Sequence, residues 1–408
     1  MSTVDKSILF QTLTSPINAL LDEPEIAEIS DSAHKLTFPR FVRLMLYLCL
    51  KGLVSLRSLH SEMQNRPQNF TRAKLITCGV STISDAFARY PAALVQKLYQ
   101  WLLAQVPLPE VDEFRELGRV AICDSSLFPI MIRAFWAVYK KHAHGLKMHL
   151  CLSLNAMLPV CFLITNGKRD DRKGLHELLE TGVTYIADRG YIAFNLFFEI
   201  VQLMAFFIIR SRKNLCYQVQ RTLTVTLPEA AHYIFLAVTD ELVIFERDHH
   251  RQVYRRISFR TRQKLFILLT NRFDLTTYDL IKLYCFRWQV ELFFRYLKQT
   301  LQAKHLLNLS ETGVAIHFYL VLIAHLLLVI YKYQQQQLFL LRQEEHQQLR
   351  EEQGKKQTST STAFKSTEDF VAAMGKTIPN YFKITKHQRQ AIRDALLQRT
   401  SQLELVFI

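Results

Sequence analysis

The chain has 408 residues, 49% of them hydrophobic and 21% charged, so it should fold around a substantial core in two or three domains. Its net charge of +15 points to a polyanionic partner, and the spread of basic residues along the chain favours nucleic acid over a membrane surface. Seven scattered cysteines without a C-x-x-C pair, and an N-terminus without a basic and apolar leader, argue against secretion and predict a cytoplasmic protein with reduced thiols.

A basic helical region follows an acidic N-terminus. Residues 34–100 contain ten Lys and Arg against two acidic residues. Apolar periodicity over 38–59 and 83–103 predicts helices. Short basic helices commonly dock on DNA, so residues 1–110 are predicted to form a helical DNA-binding domain, although solvated surface cations would give the same pattern.

The first candidate carboxylate stands in a predicted strand. Residues 119–127, RVAICDSSL, alternate as a strand that carries Asp124 near its end. There the carboxylate either projects from a sheet or caps the following turn. Asp124 is therefore a candidate for chemistry whose role depends on its neighbours.

Two further strands, predicted over 145–154 and 159–164, form a meander. Lys147 and His149 share one face of the first of them, because side chains of a strand alternate with a period of two. The pair either lies beside the acid or is a satisfied or solvent-facing pair.

The second candidate carboxylate follows another strand. TYIADRGY over 184–191 places Asp188 between an apolar strand and a glycine that lets the chain turn into a helical pattern. Strand, acid, turn and helix in that order suit a metal-binding strand end in an RNase H-like sheet. Asp170 and Asp171, in a charged loop upstream, are the main rivals for catalytic roles.

Cations and strands fill the next part of the chain. Arg210, Arg212 and Lys213 follow the strand predicted over 205–210. Residues 215–269 then alternate as strands, with six Lys and Arg between 251 and 264 and no acid among them. This stretch is predicted to be a β insertion with basic surface.

One stretch places four functional residue types at helical spacing. YCFRWQVELFFRYLK over 284–298 puts Tyr284, Arg287, Glu291 and Lys298 at offsets 0, 3, 7 and 14, within about 60° of arc on a single α-helix. A carboxylate between two cations suits a phosphodiester, because the acid can hold a divalent metal while Arg and Lys bind phosphate oxygens. A solvated amphipathic helix is the alternative interpretation.

This pattern, Tyr-x2-Arg-x3-Glu-x6-Lys, resembles the YREK signature of bacterial cut-and-paste DDE transposases, in the insertion-sequence family named for element four. Asp-Arg-Gly-Tyr at 188–191 resembles the second motif of that family. The resemblance covers about 35–330 and implies an α/β protein with an RNase H-like core, a mixed sheet flanked by helices. Ser125-Ser126 replaces the Gly-Thr or Gly-Ser more usual after the first acid.

The resemblance also implies roles for residues. Asp124, Asp188 and Glu291 would be the catalytic carboxylates and would hold two Mg²⁺ ions, for which Mn²⁺ can substitute. The residues implied to contact DNA are Tyr284, Arg287, Lys298, Arg210, Arg212 and Lys213.

The implied function is transposition, by metal-dependent cleavage of DNA and transfer of the cut strand. The partners would be the terminal repeats of the element and target DNA, bound by a dimer that forms on DNA, with no membrane involved. The protein would act in the cytoplasm, associated with the nucleoid. The alternatives are a catalytically inactive DNA-binding protein derived from a transposase, and an RNase H-like nuclease without transposition.

The predicted domains are residues 1–110, the catalytic residues 111–333 with the β insertion at about 215–269, and a polar linker with a helical appendix at 334–408. Residues 314–331 are long and apolar enough to span a bilayer. Two histidines inside that stretch and the lack of a second span favour a buried helix, expected to lie behind the catalytic sheet.

Overall fold

The computed structural model describes residues 6–23, 26, 35–106, 114, 116–130, 136–140, 143–235, 237–261 and 264–352. Contacts divide the chain into two compact units. The helical unit comprises 1–109, 130–136 and 295–363, and the sheet unit contains 110–129 and 137–294. The appendix predicted at the C-terminus falls outside the described residues from 353 onward.

Helices precede, interrupt and follow the strands along the described residues. In chain order they are α1 (Lys6–Leu21), α2 (Phe38–Lys51), α3 (Leu56–Asn65), α4 (Pro67–Arg72), α5 (Val80–Arg89), α6 (Ala92–Ala104), α7 (Asp171–His176), α8 (Phe194–Gln202), α9 (Thr277–Cys285), α10 (Trp288–Gln299) and α11 (Glu311–Glu352). Short 3₁₀ turns lie at Arg189–Tyr191 and Glu229–Tyr233.

Both predicted N-terminal helical segments divide in two, for local reasons. Gly52 ends α2 with a φ of 71°, a conformation that glycine adopts without the steric cost of a Cβ. Pro91 precedes α6 and separates it from α5. The division produces short helices that can pack around a central one.

That central helix is α11, the most apolar segment of the chain. It packs against α6, α2, α1 and α5 of the helical unit. Residues Glu311–Gln335 have the length and composition to cross a membrane, yet 83% of the apolar window is buried inside the protein. The helix expected behind the catalytic sheet therefore has the N-terminal helices as its packing partners, as the core helix of a globular unit does.

The sheet unit is built on ten strands. They are β1 (Arg119–Ile130), β2 (Val138–Lys140), β3 (Ala143–Ser153), β4 (Leu158–Asn166), β5 (Val183–Ala187), β6 (Phe206–Arg210), β7 (Tyr217–Thr222), β8 (Ala237–Phe245), β9 (Val253–Arg260) and β10 (Leu265–Thr270).

Their order combines a mixed core with an antiparallel extension. The order is β2-β3-β1-β5-β6-β10-β9-β8-β7, and β4 pairs with β3. β1, β5 and β6 are parallel neighbours, whereas β4 runs antiparallel to β3 and β10 antiparallel to β6. The α/β class is thereby confirmed, and this large mixed sheet with helices fits an RNase H-like core.

The β-rich stretch after β6 joins the same sheet. β7, β8, β9 and β10 form an antiparallel set, and β10 pairs with both β6 and β9. The predicted insertion therefore extends the central sheet rather than forming a separate layer. Strand β7 at the edge is largely exposed.

A buried ion pair ties this extension to the start of α9. Asp240 on β8 is fully buried, and its Oδ2 lies 2.6 Å from Nη2 of Arg255 on β9. Arg255 also donates to the carbonyl of Leu275, and the Thr277 hydroxyl donates to Asp240. Burial of both charges requires this complete set of partners.

Candidate functional site

The parallel register of β1 and β5 sets two aspartates side by side. Ile122 pairs with Ile186, so a shift of 64 residues relates the strands, and the same shift relates Asp124 to Asp188. Neighbouring strands lie about 4.8 Å apart, and residues two further along in each strand return to the same face. The predicted separation of the two acids is thus the offset of the register.

The strand that carries Asp124 is longer than predicted. It continues to Ile130, so Asp124 lies in mid-strand rather than near the end. Its Oδ1 accepts a 2.8 Å hydrogen bond from the backbone N–H of Ser125. Pairing with neighbouring strands beyond the acid, which spacing does not reveal, keeps this segment in the sheet.

Asp188 follows β5 directly, as the sequence predicts. Its Oδ1 accepts from the N–H of Gly190 at 2.7 Å and caps the 3₁₀ turn that begins at Arg189. Gly190 is needed there, because a Cβ would lie 2.9 Å from that carboxylate oxygen. The turn-capping alternative and the position at the strand end thus hold together.

The quartet does not occupy one continuous helix. Tyr284 lies in the last turn of α9, Arg287 lies in the turn before α10, and Glu291 begins α10. The N–H groups of Phe286 and Arg287 bond to carbonyls three residues earlier, which tightens the chain at this point. No Gly or Pro marks the interruption, so the sequence contains no stop signal.

Three members of the quartet nevertheless interact. Nη2 of Arg287 lies 2.7 Å from Oε1 of Glu291. The guanidinium is also hydrogen-bonded to the Tyr284 hydroxyl, and burial raises the pKa of that buried tyrosine to about 12. Asp188 adds to this increase, while Arg287 and Arg210 oppose it, so tyrosine, arginine and acids share one electrostatic environment.

Asp124 carries the clearest sign that the acids act on one another. Its pKa is raised to about 7, mainly by burial. Asp188 and Glu291 add to the increase, whereas the Ser125 N–H and the Arg287 guanidinium oppose it. A partly buried carboxyl beside two others has surplus negative charge, which a cation would offset.

The predicted DNA-contacting cations differ in their surroundings. Arg210 lies over the Phe266 ring, 4.5 Å from its centroid, while Arg212 and Lys213 are exposed directly after β6. Lys298 is in the part of α10 assigned to the helical unit, and burial lowers its pKa. Arg212 and Lys213 are therefore accessible to a phosphate backbone.

The basic run at 251–264 is not uniformly available to DNA. Arg255 is buried in the pair with Asp240, and Arg256 lies 2.9 Å from Glu241 and stacks on Tyr217. These two cations serve the sheet extension. The sequence could not show this, because their acidic partners lie on the neighbouring strand rather than in the run.

The rival aspartates have different roles. Asp170 caps α7 by accepting from the N–H of Arg172, and the Arg172 guanidinium holds its pKa well below the usual range. Asp171 instead accepts a 2.6 Å hydrogen bond from the Ser125 hydroxyl, beside Asp124. Lys147 lies 3.0 Å from the same oxygen, so the strand-face pair does include a residue next to the acids.

The donor chemistry of the three acids fits Mg²⁺, which prefers hard oxygen ligands. In the part of the chain that the structure describes, no three His, Cys, Asp or Glu side chains are grouped to hold one metal ion. Glu291 is turned to Arg287. Magnesium is usually held by one or two carboxylates together with substrate phosphates, so a preformed protein cage is not required.

The sheet and its acids define an α/β enzyme with clustered carboxylates flanked by cations. Residues 116–327 match the model of the family described as "Transposase DDE domain". The chain therefore belongs to the DDE transposase family, and it is a transposase.

Relatives and a solved structure carry the same description. The chain is 28% identical over 253 residues to "Putative transposase y4zB" of Sinorhizobium fredii, covering 61% of this chain and 70% of that protein. It is 24% identical over 250 residues to "Probable transposase for insertion sequence element IS5377" of Geobacillus stearothermophilus, again 61% of this chain and 66% of that protein. A solved structure titled "Cryo-EM structure of piggyBac transposase synaptic complex with hairpin DNA (SNHP)" aligns over 97% of this chain and 85% of that chain, with 10% identity and a TM-score of 0.40.

Proposed function

We propose that this transposase excises an insertion sequence by cutting DNA at its ends and joins those ends to target DNA, as a member of the YREK group. The observation that carries the proposal is the β1–β5 register, which relates Asp124 to Asp188 by the same 64-residue shift. Glu291 and Arg287 act on the same Asp124 carboxyl. Clustered acids and a guanidinium suit transfer at a phosphodiester.

In this proposal Asp124, Asp188 and Glu291 are catalytic and would hold two Mg²⁺ ions, for which Mn²⁺ can substitute. When bound, the ions would supply Lewis-acid stabilisation of charge on the entering and leaving oxygens. The protein contributes positioning: backbone N–H groups orient one oxygen each of Asp124 and Asp188. Burial around Asp124 keeps water from weakening these interactions.

Arg287 has two partners that prepare it for phosphate. Glu291 and Tyr284 hold its guanidinium in place, so little rotamer entropy is lost when a phosphate binds. A phosphate arriving at this point would compete with Glu291 for the guanidinium and so release the carboxylate towards a metal ion. Tyr284, Arg287 and Lys298 are proposed to contact the element end.

The remaining partners follow from charge. Arg210, Arg212 and Lys213 are proposed to contact DNA after β6, and the helices of residues 1–110 are proposed to be a DNA-binding module. Some of the cations in that module are engaged within the protein, as is Arg43 by Asp22 at 2.6 Å. We propose that the protein acts in the cytoplasm on nucleoid DNA, as a dimer formed on the element ends.

A cleavage assay separates this function from its two alternatives. Duplexes that carry the element ends, and duplexes with those ends scrambled, are incubated with protein and Mg²⁺ alongside a target plasmid. Transposition gives cleavage only at the authentic ends, with strand joining to the plasmid. Cleavage without an end requirement would indicate a plain nuclease, and binding without cleavage would indicate an inactive derivative.

DNA affinity is expected to fall steeply with salt. If six or more phosphates are neutralised, the affinity drops by about 10³-fold or more between 50 and 200 mM salt, because counterions are released from DNA. The double variant Arg212→Ala/Lys213→Ala should reduce the slope of log affinity against log salt by about 2. Fluorescence anisotropy of labelled end DNA measures both.

The matched control is Arg119→Ala, which removes a cation that is 2.9 Å from exposed Glu180. Its slope should equal that of the unmodified protein, since exposed ion pairs contribute little and this one lies outside the predicted DNA contacts. A flat salt dependence of the unmodified protein would contradict a nucleic-acid partner.

A further inference from the structure

A chain of contacts runs from α7 to the first acid. Oδ1 of Asp171 accepts a 2.6 Å hydrogen bond from Oγ of Ser125, and the backbone N–H of Ser125 donates to Oδ1 of Asp124 at 2.8 Å. Ser125 therefore links two carboxylates, through its side chain to one and through its main chain to the other. Any rotation of Ser125 changes the direction of the N–H that orients Asp124.

Two residues of β3 fasten Asp171 in place. Nζ of Lys147 lies 3.0 Å from Oδ1 of Asp171 and donates to the carbonyl of Arg169 at 2.7 Å. The lysine thus neutralises the carboxylate and also holds the loop that precedes it. Only 17% of the Lys147 side chain is exposed, so the pair is partly shielded from solvent.

His149 packs against the same segment. It is 2% exposed, its Nε2 lies 3.0 Å from the Thr165 hydroxyl, and its Nδ1 lies 3.8 Å from Oδ1 of Asp171. A Cβ on Gly174 would lie 2.3 Å from Nδ1 of His149, so only glycine lets α7 pack so closely on the ring. The position of Asp171 is therefore set by packing as well as by charge.

The adjacent aspartate has no such connection. Asp170 bonds to Arg172 within its own loop and caps α7. The two neighbours thus provide a natural comparison, because they have the same side chain, are adjacent in sequence and have different partners.

We propose that Asp171 is a positioning residue for DNA cleavage, which holds the Ser125 hydroxyl so that the Ser125 N–H orients the Asp124 carboxylate. The inference rests on the proposed catalytic role of Asp124. Groups that orient metal-binding carboxylates typically change metal affinity or activity by about 10–100-fold when removed. Asp171 itself touches neither metal nor DNA in this role.

The test is a double-mutant cycle on single-turnover cleavage of the end-bearing duplex. Asp171→Ala and Ser125→Ala should each slow cleavage about 10–100-fold. The double variant should be no slower than the slower single variant, because both changes break the same link. Ser125→Thr, which keeps the hydroxyl, should restore most of the rate, and Asp170→Asn should stay within about twofold of the unmodified protein, since Asn also caps helices.

Binding of Mn²⁺ supplies a readout apart from the reaction. Electron paramagnetic resonance of Mn²⁺ added to the protein–DNA complex should show about tenfold weaker binding for Asp171→Ala and Ser125→Ala, and unchanged binding for Asp170→Asn. A general loss of structure would instead lower DNA binding and thermal stability. If Asp171→Ala does not fold, Ser125→Ala compared with Ser125→Thr carries the same comparison.

The failures of the two proposals are distinguishable. Asp124→Asn that retains cleavage and Mn²⁺ binding would overturn the proposed active site. Asp124→Asn that loses both, together with Asp171→Ala that matches the unmodified protein, would overturn the positioning role alone. Multiplying effects in the double variant would also overturn it, because Asp171 would then act independently of Ser125.

Discussion

Replacing Glu291 with alanine is expected to slow Mg²⁺-dependent cleavage by about 10³-fold or more while DNA binding stays near the unmodified level. A metal-holding carboxylate acts mainly in the transition state, where charge develops on the entering and leaving oxygens, and a loss of about 4 kcal/mol corresponds to this factor. Affinity for DNA in the ground state comes from basic side chains elsewhere. Nicking of a labelled end-bearing duplex and a gel shift on the same DNA measure the two effects.

The matched control for this change is Glu246→Ala, which removes an exposed carboxylate in the turn after β8 of the same unit. It should leave both nicking and binding unaltered. Undiminished nicking by Glu291→Ala would remove α10 from the active site. Parallel loss of nicking and DNA binding would instead show that Glu291 acts by holding Arg287, 2.7 Å away, in position for phosphate.

The largest expected effect on stability comes from Asp240→Ala. Asp240 is fully buried and Arg255 is 5% exposed, so the change leaves a buried guanidinium without its counter-charge. Breaking one side of such a pair costs about 3–5 kcal/mol, which lowers the melting temperature of a unit of this size by about 10 °C. Thermal unfolding followed by circular dichroism measures the shift.

Thr239→Ala provides the comparison, since Thr239 is the exposed neighbour of Asp240 on β8. Its change should lie within about 0.5 kcal/mol of zero. An Asp240→Ala protein as stable as the Thr239→Ala protein would show that Arg255 finds sufficient compensation in the carbonyls of Leu275 and Arg272.

Local patterns predicted the elements that carry the acids because those patterns depend on neighbours in the chain. Alternation marked β1 and β5, and the glycine after Asp188 marked the turn that its carboxylate caps. The end of β1 was not visible, since strand length is set by pairing with β3 and β5. The interruption between α9 and α10 was also hidden, because it arises from backbone hydrogen bonds without Gly or Pro.

Charge patterns were the least reliable guide. A run of cations without acids predicted a DNA-facing surface, yet Arg255 and Arg256 find their partners on β8, fifteen residues away in each case. Ser125 and Asp171, 46 residues apart, illustrate the same limit for the site. Sequence distance carries no information about which side chains a sheet brings into contact.

By itself, the sequence determined the family resemblance, the α/β class and the residues proposed for catalysis, because motifs and periodicities are properties of short stretches. Only the tertiary structure decided that Asp124 and Asp188 occupy matching positions of parallel strands and that the β insertion extends the same sheet. It alone also grouped α11 with the N-terminal helices and linked Asp171 to Asp124 through Ser125. The physical reason is that strand register and side-chain pairing depend on the packing of segments far apart in the chain, where burial and hydrogen-bond satisfaction choose among many possible contacts.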